Sequence, residues 1–202
     1  MIAARHSATM IANDTHGATA VEFAIIAPIM LTLMLGMMEL GYQAYAQSVL
    51  LGATNKAARD LTLEDAPTNK ALIEGKIGSM LQTISKKAVV TTTSESFSSF
   101  TKVNTYEDFK DLDGDKQFDA GTECFFDVNN SKTWNKRGKS GLGGADDIVV
   151  FTATATYPRL FPVMGMLGWS NTGTVVARTT LRNQPYSEQA EEAGVEICPT
   201  PA

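Results

Sequence analysis

The sequence predicts an α+β protein in which a long N-terminal transmembrane helix extends into a small head built on an antiparallel sheet. Three observations predict it. Residues Ala18–Met38 carry a single charge, Glu22; apolar residues recur at three- and four-residue spacing from Tyr42 to Leu61; and β-branched runs follow Val89 without a helical pattern between them. A chain of 202 residues that is 44% hydrophobic holds one ordinary core and not two full domains. Its 17 basic and 22 acidic side chains leave a net charge of -5, with no surplus to neutralise phosphates, so no nucleic-acid partner is expected. Both histidines, His6 and His16, precede Gly17, which removes His-based acid–base catalysis and His-ligated zinc from anything folded downstream.

The first element is the apolar run. From Phe23 to Met38 no residue is charged and only Thr32 is polar. At about 1.5 Å per residue, Ala18–Met38 covers roughly 30 Å, the thickness of a hydrocarbon core. Three readings compete: a secretory signal peptide cut after Ala44-Tyr45-Ala46, a plain signal anchor, and a segment cut just before the run. Glu22 weighs on the choice, because an ionised carboxylate at that depth costs about 2.5–3.5 kcal/mol. A cut after Gly17 would create a compensating α-amino group at Ala18. Otherwise Glu22 snorkels to the membrane boundary.

Gly17-Ala18-Thr19-Ala20-Val21-Glu22-Phe23, an early Pro28 and then Gly-Met-Met-Glu-Leu-Gly at residues 36–41 resemble the start of the TadE-like minor pilins (pseudopilins) of the tight-adherence, type IVb pilus class. The resemblance is specific from residue 17 to about residue 62 and weaker at residues 141–150 and 157–162. It implies a leader, residues 1–17, removed by a prepilin peptidase between Gly17 and Ala18, with Glu22 and Phe23 completing the processing motif. It also implies a single-pass protein of the bacterial inner membrane with a periplasmic head. Its partners are then the lipid bilayer, other pilins and inner-membrane pilus assembly proteins. The leader departs from the pattern in having Arg5 as its only basic residue.

Beyond the membrane the helical spacing continues through Tyr42, Tyr45, Val49, Leu50, Ala53, Ala57 and Leu61, and nothing breaks it before Pro67. A helix over residues 18–66 is expected, about 73 Å if unbroken, with Pro28, Gly36 and Gly41 as local kink points. Its outer half is expected to pack on the head, residues 67–182. There Thr68 caps a helix over residues 69–87 with the stripe Leu72, Ile73, Ile77, Met80, Leu81 and Ile84. Strands are predicted at Val89–Thr93, Phe97–Val103, Ile148–Tyr157 and Thr174–Leu181. The apolar loop Arg159–Trp169 is expected to lie over the core or to touch membrane or a partner.

Residues 111–135 contain a repeat. Asp111-Leu-Asp113-Gly-Asp115-Lys-Gln117-Phe118-Asp119 aligns at an offset of 16 with Asp127-Val-Asn129-Asn-Ser131-Lys-Thr-Trp134-Asn135. Oxygen side chains at positions 1, 3, 5 and 9 with an aromatic at position 8 follow the logic of an EF-hand-type loop. The first copy therefore offers Asp111, Asp113, Asp115, the carbonyl of Gln117, Asp119 and, one residue late, Glu123 to a calcium ion (Ca2+). Lys replaces glycine at position 6 in both copies, and the second copy has no acid at position 12. A solvated Asp/Asn turn explains the second copy better; for the first, both readings stay open. On the outer side of a membrane Cys124 and Cys198 are expected to form a disulfide, and in a cytoplasmic head to stay reduced. That bridge would staple an acidic tail, residues 183–202, that otherwise reads as disordered.

No GxSxG, P-loop, GxGxxG after a strand or HExxH is present, so no enzyme is expected. The sequence points to a membrane-anchored minor pilin or pilus-assembly protein. The competing class is a secreted or anchored calcium-dependent binding module.

Overall fold

In the computed structural model, residues 17–63, 65–161, 165, 168–190 and 192–199 are described. The expected leader up to residue 16, including Arg5, lies outside them, as do residues 162–164, 166 and 167 of the apolar loop and the last residues of the tail. The chain forms two compact units, Met1–Gln43 with Arg159–Asn171, and Ala44–Pro158 with Thr172–Ala202. The expected class, a long apolar helix followed by a small antiparallel-sheet domain, is what the structure shows.

Helix α1 runs from Ala18 to Asp60 without interruption at Pro28, Gly36 or Gly41. Thr32 donates its hydroxyl to the Pro28 carbonyl at 2.7 Å, an i−4 bond that holds the turn after the proline. In the first unit almost every apolar side chain of α1 faces outward: Phe23, Ile25, Ile29, Leu33 and Met37 are all at least half exposed. From Ala44 onward the same helix is amphipathic. Ala46, Leu50, Ala53, Ala57 and Ala58 are buried, as is Leu61 just past its end, while Tyr45, expected in that stripe, is 58% exposed.

The helix stops at Asp60 rather than at residue 66. The Thr62 hydroxyl takes the Arg59 carbonyl at 2.8 Å, and the Thr62 carbonyl accepts the Gln184 N–H at 3.2 Å, which diverts the backbone from the helical ladder. Pro67, expected to end a helix, instead lies in the first turn of α2, Ala66–Gln82, where a missing N–H costs nothing. Asp65, not Thr68, occupies the N-cap position, and the helix ends before Lys86 and Lys87. Its buried stripe is Ile73, Ile77 and Leu81; Leu72 faces solvent at 62% exposure.

Four strands form the main sheet: β1 (Val89–Phe97), β3 (Lys139–Ser140), β4 (Ile148–Pro158) and β5 (Thr172–Arg182), in the order β3-β1-β4-β5, all antiparallel. The strand expected at Val89–Thr93 runs on to Phe97, and the one expected at Phe97–Val103 does not form beyond that first residue. Ser94, Glu95 and Ser96, which read as a polar gap, pair with Phe151, Val150 and Val149, and the chain then leaves the sheet in a 3-10 turn, Phe100–Lys102. The helix-facing side alternates Phe151, Ala153, Ala155 and Tyr157 on β4 with Val175 and Ala177 on β5, all buried. Two polar contacts tie the helices to this sheet. Gln47 of α1 donates to the Val176 carbonyl at 2.8 Å, and Lys70 of α2 to the Ser94 hydroxyl at 3.1 Å. A smaller cluster of Phe97, Ile148 and Val150, with Val103, covers the other face at one end.

The tail is ordered over its described part. Strand β6 (Val195–Ile197) pairs antiparallel with β2 (Phe125–Asp127), and the acids that suggested disorder find cations: Glu196 pairs with Lys110, Glu192 with Lys102 and Arg137. Two of the tail's four acids are thus compensated by side chains far away in sequence.

Candidate functional site

Three groups of residues carry the chemistry. The first is the start of α1. Gly17 is exposed and opens the helix by accepting the Val21 N–H at 3.2 Å; Glu22 and Phe23 are exposed one turn on. A Cβ at Gly17 would meet nothing within 4 Å. The fold therefore places no steric demand for glycine there.

The second group closes the apolar end of the same unit. Glu39 is 1% exposed. Its carboxylate accepts from the Arg159 guanidinium at 3.3 Å and from the backbone N–H groups of Leu160 at 3.2 Å and Phe161 at 3.3 Å. Arg159 also donates Nε–H to the Ser170 carbonyl at 3.0 Å and its backbone N–H to Asn171 at 2.9 Å, so both ends of the loop are tied to one another and to Glu39. A buried charge persists only when paired and hydrogen-bonded, and this one is both. Sequence reasoning missed the pair, although Glu39 is the first acid after the apolar run and Arg159 the only charge in residues 159–171.

The third is the acidic repeat, which is longer than residues 111–135. Glu107 and Glu123, also 16 apart, are each 2% exposed. Glu123 accepts the N–H groups of Leu112 at 2.8 Å and Asp119 at 3.1 Å, positions 2 and 9 of the first loop. Glu107 accepts those of Val128 at 2.9 Å and Asn135 at 3.3 Å, positions 2 and 9 of the second. Each glutamate thus clasps the loop of the other repeat. Phe109 bridges antiparallel to Phe125, its counterpart, and Phe118 stacks on Trp134, its counterpart, with centroids 4.8 Å apart. The two repeats are related by a local pseudo-twofold axis. The offset that aligned Asp111 with Asp127 also aligns Glu107 with Glu123 and Phe109 with Phe125, and that signal could have found the clasps.

The loops share a backbone as well. Lys116 and Lys132, at position 6, take left-handed φ of 62° and 61°, the conformation glycine would supply, and each donates its N–H to the first aspartate of its loop. Lysine at position 6 therefore does not prevent the turn. In the first loop the carboxylates of Asp111, Asp113 and Asp115 are exposed and bring oxygens within 4.8 Å of one another. Asp119 and Glu123 are not in that group, and Glu123 spends both oxygens on backbone N–H groups. The Gln117 N–H is taken by Asp115 at 2.7 Å. In the second loop Asn129 and Ser131 stand where the first has Asp113 and Asp115, so it offers less negative charge. Cys124 and Cys198 are joined, with an S–S distance of 2.06 Å, beside the β2–β6 pair.

No curated protein and no solved structure matches the chain. The family model described as TadE-like protein matches residues 17–59, beginning at Gly17 and ending one residue before α1 does. The resemblance read from residues 17–23 and 36–41 is borne out over that stretch: the N-terminal helix of this chain is similar to that of TadE-like proteins.

Proposed function

We propose that this chain is a membrane-anchored minor pilin or pilus-assembly protein that acts in biogenesis of a Tad-type (type IVb) pilus, structural rather than enzymatic. The observation that carries the reading is that the family match begins at Gly17 and covers the one helix, among the described residues, long and apolar enough to cross a membrane. Before extraction α1 holds the protein in the inner membrane with its head in the periplasm, and a prepilin peptidase cuts between Gly17 and Ala18. After the cut, the Glu22 carboxylate meets the α-amino group of a neighbouring pilin, and the outward apolar side chains pack among other pilin helices. Gly17 is compatible with this order of events: among the described residues nothing lies within 4 Å of a Cβ built there.

The rival secreted module needs a cut after Ala46. Such a cut would divide α1 in mid-helix and remove Ala46, 2% exposed, from the packing of the folded chain. Removing the chain from its native cell and restoring it tests the proposal: recoverable surface pili should be lost or reduced and return with the wild-type chain. Unchanged piliation would contradict it.

A second role is favoured by the convergence of Asp111, Asp113 and Asp115. The first loop is a weak calcium site that settles its own charge repulsion by binding the ion. Asp119 and the Gln117 carbonyl complete the oxygen set, while Glu123 supports the loop from behind.

A further inference from the structure

We propose that the two described ends of the loop Arg159–Asn171 contact the membrane, seating Leu160 and Trp169 in the headgroup region of the bilayer, at the level where α1 leaves the hydrocarbon. The inference rests on the reading of α1 as a membrane span. From Ala18 to Glu39 the helix rises about 32 Å, one hydrocarbon thickness, so Glu39 falls at the boundary between acyl chains and headgroups. The Glu39 carboxylate holds the N–H groups of Leu160 and Phe161 within 3.3 Å, which fixes the start of the loop to that depth.

The exposed side chains suit the same level. On the helix Met37, Met38 and Leu40 are outward at 70, 48 and 62%; on the loop Leu160 is 54% and Trp169 65% exposed. Tryptophan concentrates at membrane interfaces because its ring is apolar and its N–H needs a polar partner. The loop has no acidic residue to repel anionic headgroups, and its one charge, Arg159, is neutralised by Glu39. Isolated from lipid, these apolar groups are left uncovered by the described residues of their own unit. Exposed Met37, Met38 and Leu40 flank the Glu39 that holds the start of the loop, so a bilayer covers helix and loop at once.

The test uses the full chain in vesicles of phosphatidylethanolamine and phosphatidylglycerol. The emission lost on Trp169→Phe isolates the signal of Trp169 from that of Trp134. That signal should be quenched by lipids brominated high on the acyl chain and much less by lipids brominated near the methyl end. Leu160→Cys carrying an environment-sensitive dye should report an interfacial setting independently, and Glu39→Gln should weaken both signals. In parallel, Met34→Cys should resist a water-soluble maleimide. If Met34→Cys resists and neither loop probe senses lipid, the loop does not touch the membrane and the inference fails while the span stands. If Met34→Cys reacts freely, the span fails and takes the inference with it. Crosslinking of residue 160 to a second copy, with no lipid quenching, would overturn the proposal in favour of a subunit contact.

Discussion

Glu107 and Glu123 are acids in an acidic stretch, and their role is set by the backbone donors they meet. Each carboxylate is buried and each accepts two N–H groups across the pseudo-twofold axis. Replacing either by alanine leaves two donors without their partner, and Glu107→Ala or Glu123→Ala should each cost about 2–4 kcal/mol in chemical denaturation of the full chain in detergent. Leu112→Ala, at a side chain 70% exposed, should cost under about 0.5 kcal/mol. Equal effects at the three positions would contradict the clasp. Glu192 offers a second measurement at the same scale. Burial alone would raise its pKa, but hydrogen bonds from Lys102 and Ser98 and the charges of Lys102 and Arg137 outweigh it and hold the carboxyl below its ordinary value. A carboxyl depressed in the folded state stabilises above its unfolded pKa and loses that contribution as pH falls through the folded one. Melting temperature should therefore drop below about pH 4.5 more steeply in the wild type than in Glu192→Gln. Parallel curves would show that the tail is held by other contacts.

Among elements, α1 was the most legible, because an apolar run of membrane length and a three-four spacing are local signals that Leu50, Ala53 and Ala57 carry unaided. Strands β4 and β5 were legible for the same reason, within one or two residues at each end. What was not legible depends on partners distant in sequence. Ser94–Ser96 reads as a gap until β4 pairs with it, Gln184 ends α1 by meeting Thr62, and the acidic tail is ordered by Lys102, Lys110 and Arg137. The site was legible in part: the aspartates of the repeat stood out, whereas Glu107 and Glu39 are single residues whose meaning lies in what they touch. The first loop makes a prediction of its own. With a dissociation constant of about 10⁻⁴ to 10⁻³ M, calcium at ten times that level stabilises by about 1.4 kcal/mol, which for a chain of this size raises the melting temperature by roughly 3–6 °C. Scanning calorimetry in calcium and in EDTA should show that gap in the wild type and none in Asp113→Ala, Asp115→Ala. Identical wild-type melts would make the aspartates a solvated turn.

At the scale of the whole molecule, one helix serves two environments. Its first half exposes apolar side chains from Val21 to Leu40, and its second half buries the stripe from Ala46 to Ala58 in the head. A soluble protein would not leave the first half open, and a mere targeting signal would not continue into the core of the domain it delivers. Both halves are explained when the helix first anchors the protein in lipid and then packs among other helices. Glu22→Gln should accordingly leave the protein in the membrane fraction while reducing its co-purification with other pilins; loss from the membrane with normal co-purification of what remains would contradict that role. The central claim is that the chain is processed as a pilin, and the intact mass of the mature protein from its native cell tests it most directly. Processing as a pilin predicts a chain beginning at Ala18, with the leader retained in a Gly17→Leu variant. A mature chain beginning at Gln47, or one still carrying Met1, would contradict it.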